Sequence, residues 1–333
     1  MPRLFLRRAA LFVALATVST WSAAQKTSKP ATPDAVWPTK TVKLLVGFPG
    51  GSSPDLMART LAEPLSKALG QPVIVENHPG ASGSIAANLV AKSTDNHTLG
   101  IMINGNLTIA KLLNPRTPFD PAKDLAPISL IGTAPLVLTV PASAAGATAQ
   151  EFFVAARNGG DKWNYGTPGN GTVGHIGMEL LKSKTNIAPV HIPYSGNPQV
   201  ITAMIGGQIQ MSLLPPGLAM AQVRAGKLRA IGVTSTGRSP LVPEVPSLSE
   251  GGVNNFQLEI WNAVAGPSTL PKPIITRLST LFSEIARSPD VRQKLFNQGW
   301  QVAGSSAEGL ANRIKFDTNL LGGVILMRGI KTE

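Results

Sequence analysis

Two stretches set glycines beside hydroxyl side chains in a pattern suited to holding an anion. They are Phe48-Pro49-Gly50-Gly51-Ser52-Ser53-Pro54-Asp55 and Thr167-Pro168-Gly169-Asn170-Gly171-Thr172. Each lies between a strand-like run and a helix-like run. Its backbone N–H groups therefore stand at a helix N-terminus, where the macrodipole adds roughly half a positive charge. Glycine lets a ligand come close to the backbone, and Ser52, Ser53, Thr167 and Thr172 can add hydroxyl donors. Two such turns would make a clamp for a solute with one or two carboxylates, although a glycine turn needed only for packing is the plainer reading of either alone. Asp55 has two readings of equal weight: an acid of the first helical turn, or a group that holds water or a ligand amine in the cleft.

Gly169, Gly171 and Gly174 also match the Gly-x-Gly-x-x-Gly spacing of a dinucleotide-binding turn. That fingerprint needs an acidic residue about 20 positions on to bind the ribose. The segment PVHIPYSGN offers Tyr194 and Ser195 there, and no acid. Other enzyme chemistry has no better support. No Gly-x-Ser-x-Gly elbow and no Gly-Lys-Ser/Thr phosphate loop occurs. His78, His97, His175 and His191 are far apart, without metal-ligand spacing. His175 opens the helix after the second turn, either facing the cleft or serving as a polar helix-start residue. Acidic residues are sparse and unpaired in the strand-end loops, so acid–base catalysis lacks its pair. With no cysteine, thiolate metal sites, disulfides and a Cys nucleophile are excluded. The expectation is a protein without catalysis, cofactor or metal.

The elements that must position these turns alternate strand and helix. TVKLLVGF, PVIVEN and TLGIMIN read as strands separated by the helices LMARTLAEPLSKALG and SIAANLVAKS, which is the rhythm of a parallel sheet with helices on its faces. PISLIGTAPLVLTV reads as one or two strands leading out of this unit. A second unit follows with strands over 162–167, 189–194, 208–214 and 228–235. The tail adds a strand at FQLEIWNAVAGP and helices near 271–287, 289–298 and 306–320. The expected layout is lobe 1 over 37–132 and 245–333, and lobe 2 over 133–244.

The first 24 residues read as a secretory signal peptide: Arg3, Arg7 and Arg8, a short apolar core, then Ser22-Ala23-Ala24 before Gln25. Residues 25–36 read as a flexible lead-in. The formal net charge is +12; the leader's three arginines leave +9 for the exported chain. The basic residues are scattered singly and there are only two tyrosines, which argues against nucleic acid as a partner.

The runs WPTKTVKLLVGFPGGSSPDLMARTLAEPLSKALGQPVIVENHPGASGSIAANLVAKS, FDPAKDLAPISLIGTAPLVLTVPAS, WNYGTPGNGTVGHIGMELL, VHIPYSGNPQVITAMIGGQIQM and AGKLRAIGVTS resemble, in order, the substrate-binding proteins of tripartite tricarboxylate transporters, the Bug family. The resemblance covers essentially the whole exported chain. It implies an α/β periplasmic binding protein of two lobes (type II-like), each a mainly parallel sheet flanked by helices. It further implies a small carboxylate as ligand, the membrane subunits of a tripartite carrier as partner, and a monomer. A periplasmic sensor feeding a membrane signalling protein is the alternative. By position, the family's carboxylate site maps onto Phe48, Gly50, Gly51, Ser52, Asp55, Thr167, Gly169, Asn170, Gly171, Thr172 and His175. Asn104-Gly105-Asn106 and Tyr194-Ser195-Gly196 are implied to line the same cleft. Two departures stand out. Ser52 replaces the last glycine of the family's Pro-Ala-Gly-Gly, and Ser212-Leu213-Leu214-Pro215-Pro216 stands where the family often has an aspartate and an asparagine. The second departure points away from an amino-acid ligand and towards a more apolar or aromatic acid.

Overall fold

The computed structural model describes residues 37–330. The expected signal peptide and lead-in lie outside them. The strands are β1 (Val42–Val46), β2 (Val73–Asn77), β3 (Thr98–Ile103), β4 (Leu125–Pro135), β5 (Val137–Pro141), β6 (Asn164–Thr167), β7 (Val190–Pro193), β8 (Ser212–Leu214), β9 (Leu228–Val233), β10 (Glu259–Pro267) and β11 (Gln301–Val302). The α-helices are α1 (Ser53–Leu69), α2 (Ser84–Ala91), α3 (Asn104–Thr108), α4 (Ala110–Leu113), α5 (Pro121–Asp124), α6 (Ala149–Gly159), α7 (Val173–Thr185), α8 (Asn197–Ile205), α9 (Pro216–Arg224), α10 (Lys272–Arg287), α11 (Pro289–Asn297) and α12 (Ala307–Arg328).

The first sheet runs β11-β4-β10-β3-β1-β2. Its β2-β1-β3 part is parallel, as the strand–helix alternation requires. The returning strand β10 inserts antiparallel between β3 and β4. β5 pairs antiparallel with β8 and β9 in a three-stranded sheet, and β6 pairs parallel with β7 in a two-stranded one. A parallel bridge from Tyr165 to Met211, just ahead of β8, ties the two parts together. Each sheet buries one side of its helices. Leu44 and Val46 of β1 pack with Met57, Leu61 and Leu65 of α1 and with Leu278 and Phe282 of α10. Leu138 and Val140 of β5 pack with Phe152 of α6 and with Ile176 and Leu181 of α7. The helical spacing of these apolar residues is what makes the burial possible.

The chain passes between the sheets twice. β4 and β5 are separated by the single residue Leu136, so one extended segment serves both sheets. The return runs from Val233, at the end of β9, to Glu259, at the start of β10. Thr234, fully buried, pins the crossings together. Its hydroxyl accepts from Leu136 N–H at 2.8 Å and donates to the Leu258 carbonyl at 2.7 Å. Its own N–H donates to the Leu136 carbonyl at 2.9 Å, and its carbonyl accepts from Leu258 N–H at 3.0 Å.

Three element boundaries differ from the sequence expectation. Asn104-Gly105-Asn106 is the start of α3 rather than a strand end. Residues 208–211 precede β8 rather than forming its first half. The last helix extends to Arg328, because Leu321 and Ile325 pack against the second core while Leu310 packs against the first sheet.

Candidate functional site

The first turn is built by close approach and by one carboxylate. A Cβ at Gly47 would lie 2.4 Å from the Gly83 Cα, so only glycine lets β1 end against that backbone. Asp55 is 1 % exposed and occupies the third position of α1. Its carboxylate reaches back to accept from Gly51 N–H at 2.9 Å, holding Gly51 at a φ of 79°. Arg59 Nε and Asn77 Nδ2 donate to the same group, at 3.1 and 2.9 Å. Burial pushes the Asp55 carboxyl up, but these hydrogen bonds and the Arg59 charge outweigh it and hold the pKa below the ordinary value. Asp55 is thus saturated by the protein and positions the turn. Asn77, which sequence reasoning missed, also donates to the Phe48 carbonyl at 2.9 Å.

Ser52 is the N-cap of α1, yet its hydroxyl makes no capping bond. A serine cap normally accepts from the second or third N–H of its helix. Here Pro54 has no N–H to give, and Asp55 serves the turn instead. Ser52 Oγ is left buried and unpaired. The second turn is arranged differently. Thr172 caps α7, accepting from His175 N–H at 3.4 Å and donating to the Gly169 carbonyl at 2.9 Å. His175 Nδ1 accepts from Gly171 N–H at 3.2 Å, and Thr167 Oγ1 lies 2.6 Å from His191 Nε2.

Beneath this turn three rings stack. His175 lies on His191 with centroids 4.2 Å apart, and His191 on Tyr165 at 4.8 Å. Tyr165 donates to Glu179, which also accepts from Lys182 at 2.9 Å. Burial lowers the pKa of both histidines; for His191, burial and the neighbouring His175 bring it to about 4.

The loops of the two sheets touch. Ser82 Oγ donates to the Asn170 carbonyl at 2.7 Å, and a Cβ at Gly105 would lie 3.0 Å from the Gly171 carbonyl oxygen. The candidate residues fall into three groups, two of them lining neighbouring cavities that share Ile103. Phe48, Ser52, Ser53, Asn104 and Thr172 line an inner cavity of about 50 Å³. Asn106, Gly169, Asn170, Gly171, Tyr194 and Ser195 line an outer one of about 380 Å³, together with Arg116. Gly50, Gly51, Asp55, Thr167 and His175 line neither; of these, Asp55, Thr167 and His175 are buried and bonded within the turns.

The inner cavity contains residues that the sequence reading passed over. Asn262 of β10 and Asn197, the first residue of α8, line it, at 1 and 6 % exposure. Among the described residues, Asn262 Nδ2 and Asn197 Oδ1, like Ser52 Oγ, have no hydrogen-bond partner. The signal for Asn262 was a lone polar residue within the apolar run EIWNAVAGP. Buried polar groups are nearly always paired, so these three residues single out this cavity as the candidate site. Leu136, Leu213, Pro215, Ile260 and Trp261 form the apolar wall.

Comparison with known proteins gives this site its context. A match to the family described as tripartite tricarboxylate transporter family receptor runs over residues 57–330. A Pseudomonas sp. (strain P51) protein, UPF0065 protein in the tcbD-tcbE intergenic region, is 31 % identical over 94 % of this chain and 91 % of its own length. Among solved structures, Rhodopseudomonas palustris Rpa4515 with adipate is 28 % identical, with a TM-score of 0.86 over 89 % of this chain and 99 % of that one. MatC of R. palustris with bound malate is 29 % identical, with a TM-score of 0.82 over 87 and 100 %. This chain therefore belongs to the TctC family of tripartite tricarboxylate transporter receptors, periplasmic solute-binding proteins and not enzymes.

Proposed function

We propose that the exported chain captures a small carboxylate between two lobes, 37–132 with 245–333 and 133–244, and delivers it to the membrane subunits of a tripartite tricarboxylate-type carrier. One observation carries this reading: three buried polar side chains line the inner cavity, Ser52 and Asn262 on one side and Asn197 on the other, beside the N-termini of α1 and α7. A carboxylate there meets α1 and α7 at their positive ends, where the first N–H groups have no intrahelical partner. It touches both lobes only when they are together, so it shifts the opening equilibrium towards the closed form. The crossings pinned by Thr234 supply the hinge, and the closed surface is what the carrier reads. Malate in MatC and adipate in Rpa4515 support a carboxylate ligand. Leu213 and Pro215 in the wall favour an apolar or aromatic acid over an amino acid, whose ammonium finds no acidic partner.

Thermal unfolding against dicarboxylates, citrate, acidic amino acids and aromatic acids tests the reading. A ligand at about 100 times its dissociation constant adds about 2.7 kcal/mol. The rise in midpoint should disappear in Ser52→Ala. If no acid raises the midpoint of protein that has been unfolded, dialysed and refolded, the carboxylate reading falls.

A further inference from the structure

A groove lies away from both cavities. Two adjoining hollows, of about 540 and 180 Å³, share Leu241 and Phe296 and have no lining residue in common with the inner or outer cavity. Both halves of the molecule build it. Arg224 ends α9, whose Ala219 and Met220 pack with Val137 and Leu214 of the three-stranded sheet. Arg287 ends α10, and Arg292 and Phe296 stand on α11, whose Val291 and Leu295 join the core of the six-stranded sheet. Leu241 packs against that core, and its neighbour Val242 joins the other. At one end the halves meet main chain to main chain. A Cβ at Gly217 would lie 2.1 Å from the Gln298 carbonyl oxygen, and one at Gly299 would lie 2.4 Å from Gly217 N. The shape of the groove therefore depends on how the halves sit together.

The charge of the groove is one-sided. Three arginines line it and, among the described residues, no Asp or Glu does. The Arg292 guanidinium has no hydrogen-bond or ion-pair partner among the described residues. Arg287 donates to the Ala303 carbonyl at 3.2 Å, and Arg224 faces Glu244 at 3.6 Å with both side chains exposed. In the same lining the Phe296 ring is 45 % exposed. Guanidinium groups pair with carboxylates in a planar fork, and an exposed ring offers an apolar anchor. From this set we infer that the groove is where a membrane subunit of the carrier docks, through an acidic segment bearing an apolar side chain; the inference rests on the receptor reading above. Opposite charge steers the segment in, and Phe296 anchors it. Both cavities stay free for the solute. A change in how the halves sit moves Arg224 relative to Arg287 and Arg292, so docking responds to whether the solute has drawn the halves together.

Photocrosslinking tests this with the purified exported chain and membrane vesicles that contain the large and small membrane subunits of the carrier. The photoreactive p-benzoylphenylalanine replaces Phe296 in one protein and Phe316, 63 % exposed on α12, in a control. The expected result is an adduct from position 296, and none from 316, joined to a membrane-subunit segment with several Asp or Glu residues. Raising NaCl from about 0.05 M to about 0.5 M should reduce that adduct about tenfold or more. Arg292→Glu or Arg224→Glu in the position-296 protein should do the same, whereas Arg292→Lys, which keeps the charge, should retain most of it. Both arginines are exposed, and an unchanged thermal midpoint checks that the variants are folded. An adduct to a second copy of the chain, to a segment without acidic residues, or from position 316 in place of 296 overturns the inference. So does an adduct indifferent to salt and to both charge reversals, or no adduct from either position. The receptor reading is judged separately, by the thermal shift with carboxylates.

Discussion

The hydroxyl of Thr234 accepts the backbone N–H of Leu136 at 2.8 Å, joining the outgoing and returning crossings between the two sheets. Thr234→Val keeps the side-chain shape and leaves that N–H buried without an acceptor. It should cost about 1–3 kcal/mol, read as a lower thermal midpoint of the unliganded protein. An unchanged midpoint would mean the crossings are held by their backbone bonds alone.

Gly169 has a φ of 125°, and a Cβ there would lie 2.4 Å from Ser82 Oγ, across the cleft. Gly169→Ala should therefore weaken ligand binding about tenfold or more, because an alanine strains the turn and obstructs the Ser82–Asn170 contact. Ser82→Ala removes only the hydrogen bond, so a smaller loss of about two- to tenfold is expected. Calorimetry on both variants with one bound acid gives the comparison, and equal losses would count against the obstruction.

Acid should destabilise the protein through the ring stack. A histidine whose folded pKa is depressed binds its proton more readily when unfolded, so stability rises with pH. The His191 contribution is complete above about 6.5 and is lost as the pH falls to about 4. His175 shifts in the same direction, and protonating its Nδ1 also removes the acceptor for Gly171 N–H. The charged and titratable neighbours of this column are Tyr165, Glu179 and Lys182. His191→Phe keeps a ring between His175 and Tyr165 and removes one titration. Midpoints measured from pH 7 to pH 4 should fall less steeply in the variant, and parallel curves would exclude His191 as a source of the slope.

Behind the cavity wall, Arg313 bridges Glu259 at 2.6 Å and Asp317 at 3.0 Å, and Asp317 accepts from the indole N–H of Trp261. The Asp317 side chain is only 6 % exposed. Arg313→Met strands that carboxylate and should cost about 3 kcal/mol. The double variant Arg313→Met with Asp317→Leu should recover part of the loss in denaturant unfolding. Failure to recover any would place the cost in packing rather than charge.

The two glycine turns were legible because their chemistry is local: glycines, hydroxyls and a following helix announce them. The functions of Asp55 and Ser52 were not. That Ser52 sits at the N-cap with its hydroxyl unpaired while Asp55 holds the turn depends on Pro54 lacking an N–H and on Gly51, Arg59 and Asn77 saturating the acid. The insertion of β10 between β3 and β4 joins residues more than a hundred positions apart, and strand periodicity carries no record of partner. Asn262 lay within a strand that carried no site residue in the sequence reading, so its place at the cavity emerged with the pairing. The family resemblance grouped Asn106 and Asn170 with Ser52; in the structure they line the cavity next to the one Ser52 lines.

In the proposed site the N-termini of α1 and α7 leave charge recognition to main chain, which substitution at lining positions leaves largely in place. The part of the site open to change is the apolar wall of Leu136, Leu213, Ile260 and Trp261 and the carboxamides set into it. A scaffold divided in this way can diverge towards new solutes one side chain at a time while keeping its grip on an anion.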